Sequence, residues 1–268
     1  MTIAEWIKES ANNLADNAIP SARLDAEIIL AHTLNRPRTY LHAHGEDELD
    51  SRRRDIADAR IQLRLDRVPI AYIIGHKEFY GRRFYVTPDV LIPRPESEAM
   101  ITLLKKYLPK NAVQLVDVGA GSGALGITAK LELPNLAVTM LDISKSALKI
   151  AAKNAETYLA DIKTIESDLL NQYPLVADVI LANLPYVDRT WNDRSPEIDS
   201  EPDVALYADD HGLKLIKELL SSAKAKLSKN GLIVLEADTR QHAAIVSFAT
   251  NAGYKLLETD GLAIALSR

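Results

Sequence analysis

Cysteine is absent from the 268 residues, and with it go any disulfide framework, thiolate zinc site or cysteine nucleophile; a reducing cytosol suits such a chain. Long apolar runs are absent too. Nowhere do ~18 apolar residues pass without a charge, so no segment is expected to cross a bilayer as a helix. The opening Met1-Thr2-Ile3-Ala4-Glu5-Trp6-Ile7-Lys8-Glu9 lacks the basic stretch and apolar run of a secretory signal, and export is not expected. There is no basic excess: 32 Lys and Arg against 37 Asp and Glu leave a formal charge of -5. That balance disfavours indiscriminate coating of nucleic-acid phosphates, though it allows a local basic patch.

What remains is ordinary globular material. Apolar residues make up 47% and charged residues 26%, which excludes disorder and low complexity as overall descriptions. The length fits a modest domain beside a larger catalytic one. Residues 1–69 carry apolar positions at helical spacing, such as Leu24, Ile28 and Ala31 behind a Ser21 cap, or Leu49, Ile56 and Leu63, and predict a helical bundle. Within 70–93, the runs Ile70 to Gly75 and Gly81 to Val86 are short, β-branched or aromatic and glycine-bounded, and predict a β-hairpin linker.

From 94 to 268 short apolar runs alternate with amphipathic stretches, the pattern of a mostly parallel α/β sheet. The expected strands are Val113 to Val118, Ala137 to Leu141, Asp178 to Ala182 and Leu232 to Glu236, with Tyr254 to Glu258 and Leu262 to Leu266 as an antiparallel end pair. Gly123 to Leu131, Ser144 to Leu159 and Gly212 to Leu227 have helix-like composition, with Ser144 as an N-cap.

The first chemical motif follows the strand ending at Val118. Asp117-Val118-Gly119-Ala120-Gly121-Ser122-Gly123 leads straight into a helix, and small residues there let a ligand approach the backbone closely. About twenty residues further on, Asp142 ends the next strand and can accept hydrogen bonds from a ribose. A nucleoside-containing cofactor is implied. Because Gly121-Ser122-Gly123-Ala124-Leu125-Gly126 also satisfies the dinucleotide fingerprint, spacing alone leaves a nicotinamide cofactor open. The longer Asp-x-Gly-x-Gly-x-Gly pattern resembles the cofactor loop of class I S-adenosylmethionine-dependent methyltransferases, where a carboxylate near the loop could help place a cationic methionine moiety.

The second motif, Asn183-Leu184-Pro185-Tyr186, follows the apolar run Val179 to Ala182, where the ligand crevice of such a sheet is expected. It is similar to the motif of methyltransferases that modify planar amide or amino nitrogens. Such a nitrogen has a delocalised lone pair and attacks a sulfonium methyl poorly until it is held. The Asn183 side-chain oxygen and the Leu184 carbonyl are candidate acceptors for its two N–H bonds. Pro185 pushes Leu184 towards an extended conformation, and the Tyr186 ring can lie along the flat group and exclude water. The motif serves glutamine amides and adenine amino groups alike.

Further segments narrow the family: Pro69-Ile70-Ala71-Tyr72-Ile73-Ile74-Gly75, Glu78-Phe79-Tyr80-Gly81, Val90-Leu91-Ile92-Pro93-Arg94-Pro95-Glu96-Ser97-Glu98, and Glu201-Pro202-Asp203-Val204-Ala205-Leu206. Together with the two motifs they resemble, over nearly the whole chain, the peptide chain release factor glutamine methyltransferases, the HemK or PrmC family. The resemblance implies a Rossmann-like class I methyltransferase fold with a mostly parallel seven-stranded sheet, behind a helical substrate-recognition domain and a hairpin linker. It implies methyl transfer from S-adenosyl-L-methionine, leaving S-adenosyl-L-homocysteine, to the glutamine of the Gly-Gly-Gln motif in class 1 release factors, in the cytoplasm. Cofactor contacts carry over to Asp117, Gly119, Ala120, Gly121, Ser122, Gly123, Asp142, Leu169 and Asn183, and catalytic and substrate contacts to Asn183, Leu184, Pro185 and Tyr186, with Arg94 and Glu96 beside them. Leu184 stands where the family has a second proline, a form also similar to ribosomal RNA adenine dimethyltransferases. Glu236-Ala237-Asp238 replaces the usual Glu-x-Gly. Glutamine methylation of a ribosomal protein, adenine methylation of RNA or DNA, and a cofactor-binding protein without turnover are the competing expectations.

Other residues are expected to be structural. Arg53, Arg60, Arg64 and Arg67 read as a solvated helix face, Trp6 as packing, and Trp191 as packing at the pocket rim. The six histidines, including His42 and His44, have no matching third ligand, and no metal is expected.

Overall fold

The computed structural model describes residues 1–192 and 196–268. The chain divides into two compact units. The first comprises Met1–Gly75 together with the 3-10 turn Pro196–Ser200, and the second holds the hairpin and the rest of the chain.

The first unit is a bundle of α1 (Ile3–Asp16), α2 (Ala22–Leu34), α3 (Arg38–Ala43), α4 (Ser51–Leu65) and α5 (Ile70–Ile74). A capping box starts α1, with Thr2 accepting from the Glu5 backbone and Glu5 reaching back to Thr2. Trp6, Leu14, Ile29, Leu30, Leu41 and Ile61 form its core, and the Trp6 indole donates to Asp58 at 2.7 Å.

The buried helical face is only partly the one that spacing suggested: Ala31 and Leu49 are buried as expected. Leu24, Ile56 and Leu63 are more than two-fifths exposed, while Ala26, Ile29, Leu30, Ala57 and Ile61 are buried. On α4 the interior positions are Ala57, Ile61 and Arg64. Arg64 is buried because it donates to Asp25 at 2.7 Å and to Glu197. Ser21 forms no side-chain cap on α2; its hydroxyl donates to Asp25 instead. Of the arginine series only Arg53 is exposed. Arg60 donates to Thr33, and Arg67 to the Asn17 and Ala18 carbonyls.

Residues 70–74, expected in the hairpin, form α5. Pro69 starts this turn, Ala71 and Ile73 bury one side, and Gly75 closes it in the left-handed conformation. The hairpin proper is β1 (His76–Phe79) and β2 (Arg82–Tyr85), closed by Tyr80 and Gly81 with φ of +51° and +71°, the two positive values a tight two-residue turn demands. It packs into the second unit: Phe79 and Phe84 join its core, and the Tyr85 backbone exchanges hydrogen bonds with the Asn154 side chain at 2.8 and 2.9 Å.

The second unit continues through α6 (Glu98–Tyr107), β3 (Gln114–Val118), α7 (Ala124–Glu132), β4 (Ala137–Asp142), α8 (Lys145–Thr157), β5 (Ile162–Glu166) and β6 (Ala177–Ala182). It then runs through α9 (Asp203–Leu206), α10 (Lys214–Lys226), β7 (Leu227–Glu236), α11 (Thr239–Asn251), β8 (Lys255–Asp260) and β9 (Ala263–Ser267). Strand order is β5-β4-β3-β6-β7-β9-β8, parallel from β5 to β7 and antiparallel at β9 and β8. The seven-stranded, mostly parallel sheet is the one expected.

Side chains alternate between its faces, as strand geometry requires. Leu115, Val179, Leu181 and Val234 enter one core, and Val116, Ile180, Ala182 and Leu235 the other. Both faces are covered, so these strands read as continuous apolar runs. The edge strand β5, with little buried surface, escaped sequence reading for that reason; α6 and α11 were not read from the sequence either. Ser144 caps α8 as expected, accepting from Ala147 at 3.2 Å.

Candidate functional site

The direction in which strands are added reverses between β3 and β6. Strands are added outward from β3 through β4 to β5, and β6 then pairs on the other side of β3, the arrangement that opens a crevice at the carboxyl ends. The register places Val118 opposite Leu141 on one side and Ala182 on the other, and Ala182 opposite Leu235. Residues 119, 142, 183 and 236 therefore leave four neighbouring strands at the same edge of the sheet.

The glycine loop turns sharply at this edge. Gly119 and Ala120 both donate to the Leu141 carbonyl at 2.9 Å. Gly119 has φ +75°, and a Cβ there would lie 3.0 Å from Leu184 Cδ2 and 3.6 Å from the Asn183 carbonyl. The two motifs are thus in contact, and a side chain at 119 would wedge them apart. Gly121 donates to Asp142 Oδ2, and Ser144 to Asp142 Oδ1, each at 2.8 Å. Burial pushes the Asp142 carboxyl up, against the backbone N–H groups of Ser144, Gly121 and Ile143.

A cavity opens over this edge, lined by Gly119, Ala120, Gly121, Ser122, Asp142, Leu169, Asn183, Leu184, Pro185 and Arg94 among the expected site residues. Leu169 has φ +46°, a conformation uncommon for leucine, and its carbonyl accepts from the Ser167 hydroxyl at 2.8 Å. Four expected residues lie off the cavity lining. Gly123, with φ +80°, starts α7, and Glu96 is exposed. Asp117 faces α7, accepting from the Gly126 N–H at 2.8 Å. Its Oδ1 is buried without a partner, and burial pushes its carboxyl up to about 7 despite that hydrogen bond, with the Asp142 charge adding to the rise. Tyr186 donates to Glu236 Oε1 at 3.0 Å, and burial raises its phenol further than the Glu236 charge does. Trp191 is not part of the lining either; it lies beneath Arg240, 3.9 Å from guanidinium carbon to ring centre.

Sequence reasoning passed over several contributors. Phe79, Leu91, Ile143, Val204 and Leu215 give the cavity apolar walls. Ser97, which accepts from Asn183 Nδ2 at 3.2 Å, and Glu201, which accepts from the Ile92 backbone, act from sequence distances no local pattern spans. The Arg-Pro-Glu-Ser and Glu-Pro-x-x-Ala-Leu segments were visible as motifs, but their physical roles were not. Behind Tyr186, the Val187 N–H donates to the Leu206 carbonyl, and the Val187 carbonyl accepts from Ala208. Gly212 lies so close that a Cβ would be 1.9 Å from the Tyr186 carbonyl oxygen. Among the described residues no group of three or more metal-capable side chains converges, and no helix is long and apolar enough to cross a membrane.

The residues present fit a nucleoside bearing an amino-acid tail. Space around Gly121 is open, since a Cβ there would meet nothing within 4 Å; the Asp142 carboxyl lies at the strand end and apolar walls lie beyond it, the mixture that such ligands occupy. Residues 5–75 match the PrmC N-terminal domain family and residues 97–195 the methyltransferase small domain family. The release factor glutamine methyltransferase of Koribacter versatilis is 36% identical over 241 residues, covering 88% of this chain and 86% of that protein. The protein of the same name from Salmonella typhimurium is 32% identical over 263 residues, covering 97% and 94%. In fold, the chain is similar to a methyltransferase from Pyrococcus furiosus, with a TM-score of 0.53 at 19% identity over 78% of this chain and 95% of that one.

Proposed function

Since this chain belongs to the release factor glutamine methyltransferase family, we propose that it methylates the side-chain amide nitrogen of the glutamine in the Gly-Gly-Gln motif of class 1 peptide chain release factors, in the cytoplasm. The observation that carries this reading is the contact between the glycine loop and Asn183-Leu184-Pro185 on one cavity wall. It supports the reading because the glycine loop then adjoins two acceptors suited to a primary amide.

S-adenosyl-L-methionine, when bound, supplies a methyl group on a cationic sulfur. Gly119 to Ser122, Asp142 and Leu169 line the cavity that would hold it, and the Asp142 carboxylate would serve as acceptor for the ribose. The chain's own work is placement. Asn183 Oδ1 and the Leu184 carbonyl accept the two amide N–H bonds, which fixes the nitrogen's plane and enriches its electron density. A leucine serves here as well as the family's proline, because the acceptor is a backbone carbonyl and Pro185 still restricts its direction. A nitrogen held in this way would need no strong base beforehand, because its proton becomes more acidic once the methyl group is on it and can leave afterwards. Holding the two reactants together is the main source of acceleration.

The test is incubation of the purified protein with labelled S-adenosyl-L-methionine and release factor, ribosomal proteins and RNA from the same organism, with mass spectrometry to locate the label. Methylation of the Gly-Gly-Gln glutamine is expected, and an Asn183→Ala variant should bind release factor yet lose most turnover. Label confined to adenine or to a ribosomal protein overturns the assignment.

A further inference from the structure

We infer that Glu236 is a positioning residue which, through Ser97, holds the Asn183 side chain with its amide oxygen towards the substrate. The inference rests on the reading of Asn183 as an amide holder and names what makes that reading work.

An asparagine amide has a donor end and an acceptor end of nearly the same shape. Turned over, Asn183 would aim its NH2 at the NH2 of the substrate, donor against donor, and catalysis would stop. Something must fix the orientation. In the structure Asn183 Nδ2 donates to Ser97 Oγ at 3.2 Å, and Ser97 is 3% exposed. A hydroxyl that accepts from Asn183 still has its own hydrogen to place.

Glu236 provides the place. It is 1% exposed, and the pairing of Ala182 with Leu235 sets it level with Asn183 on the next strand. The Tyr186 hydroxyl donates to its Oε1 at 3.0 Å. Its Oε2 is buried with no partner at full hydrogen-bond geometry; burial pushes the carboxyl up, and Ser97, Tyr186 and Asn183 oppose the rise by donating to it. A carboxylate has only acceptors. While Glu236 is ionised, hydrogens run one way along the chain: Asn183 to Ser97, Ser97 to Glu236, Tyr186 to Glu236. In that state the buried carboxylate gives the network its polarity, and the polarity leaves Asn183 Oδ1 as the end presented to the cavity.

A glutamine at 236 has the same shape but both a donor and an acceptor, so the polarity is lost. The experiment compares the full-length protein with Glu236→Gln, Ser97→Ala and the double variant, checking each fold by circular dichroism and thermal unfolding. Each single change should lower kcat by about 10- to 100-fold, the usual size of an effect transmitted through a supporting hydrogen bond. KM for release factor should stay within about threefold, since the substrate is still bound when it is wrongly oriented. The double variant should be no slower than the slower single one, because both act through one side chain.

A second readout is independent of substrate. The side-chain NH2 signal of Asn183, assigned by its loss in Asn183→Asp, should exchange with solvent faster in both single variants. Full kcat in Glu236→Gln, multiplied losses in the double variant, or unchanged exchange of the Asn183 NH2 would each overturn the inference. Should Glu236→Gln not fold, Ser97→Ala decides by the same two measures. If the wild-type protein leaves release factor unmodified, the functional reading fails while the exchange measurement still judges the orientation.

Discussion

The buried carboxylate of Glu201 grips Arg94: one oxygen accepts from the Arg94 guanidinium while the other accepts from the Ile92 backbone N–H at 3.0 Å. Glu201 is 6% exposed, and Arg94 lines the cavity. The Glu-Pro-x-x-Ala-Leu segment thereby ties the Pro-Arg-Pro segment into the cavity wall.

Removing this carboxylate separates two roles. Glu201→Ala leaves the Ile92 N–H without an acceptor and should cost about 1–3 kcal/mol, read as a fall of several degrees in Tm. Glu201→Gln keeps an acceptor for Ile92 but loses the charge opposite Arg94. It should unfold close to the wild-type temperature and show a raised KM for the protein substrate. Equal Tm for wild type and Glu201→Ala would show that the Ile92 contact carries no stability.

Two glycines at the site should respond differently to alanine. At Gly212, with φ +80°, a Cβ would lie 1.9 Å from the Tyr186 carbonyl oxygen. Backbone must move, and Gly212→Ala should lose roughly 2 kcal/mol or more in urea unfolding. At Gly121, with φ +54°, a Cβ meets nothing within 4 Å but projects at the cavity lining. Gly121→Ala should cost only about 1 kcal/mol of backbone strain while weakening binding of S-adenosyl-L-homocysteine, measured by calorimetry, by at least tenfold. A stable Gly212→Ala or an unaffected affinity in Gly121→Ala would contradict the respective geometry.

The glycine loop, Asp142 and Asn183 to Tyr186 were legible because each is a local pattern at the end of an apolar strand, and the sheet's strands were legible because both of its faces are dry. What escaped was what distant segments do to one another. Ile70 to Ile74 has strand-like composition, yet Pro69 and Gly75 bracket a helical turn. Leu24 and Ile56 fit a helical stripe, yet the buried stripe runs through Ala57, Ile61 and Arg64, whose charge is answered by Asp25 on another helix. Tyr186 was expected beside the substrate, but the Glu236 carboxylate that its hydroxyl meets, fifty residues later in sequence, was not foreseen. Periodicity counts methyl groups and cannot see a buried charge pair formed across 39 residues.

That pair is itself testable. The Arg64 and Asp25 side chains are 3% and 5% exposed and 2.7 Å apart. Arg64→Met leaves a buried carboxylate with only the Ser21 hydroxyl for company, which should cost about 3–5 kcal/mol. Adding Asp25→Leu removes the orphaned charge and should recover most of the loss in chemical denaturation. A double variant as unstable as Arg64→Met alone would place the cost in packing, not in charge.

Asp117 predicts a pH dependence of opposite sign to that of an ordinary salt-bridged carboxylate. Burial first, and the nearby Asp142 charge to a lesser degree, raise its carboxyl from an ordinary value near 3.8 to about 7, while the Gly126 N–H opposes the rise. Between those values the folded chain holds a proton that the unfolded chain has released. Stability therefore falls as pH rises through this window: the contribution of Asp117 is full below about pH 4 and is lost by about pH 7. The loss is on the order of a few kcal/mol, since each tenfold change in proton affinity is worth about 1.4 kcal/mol. Asp117→Asn keeps an oxygen for the Gly126 N–H and carries no charge at any pH. Its Tm should match the wild-type value near pH 4 and exceed it by several degrees near pH 8, with the difference between the two proteins opening across pH 4 to 7. Because the other carboxylates titrate in both proteins, the difference curve isolates this one group. A difference that stays flat, or that favours the wild type at pH 8, would show that Asp117 is ionised in the fold and that its orphaned Oδ1 is stabilised by a donor.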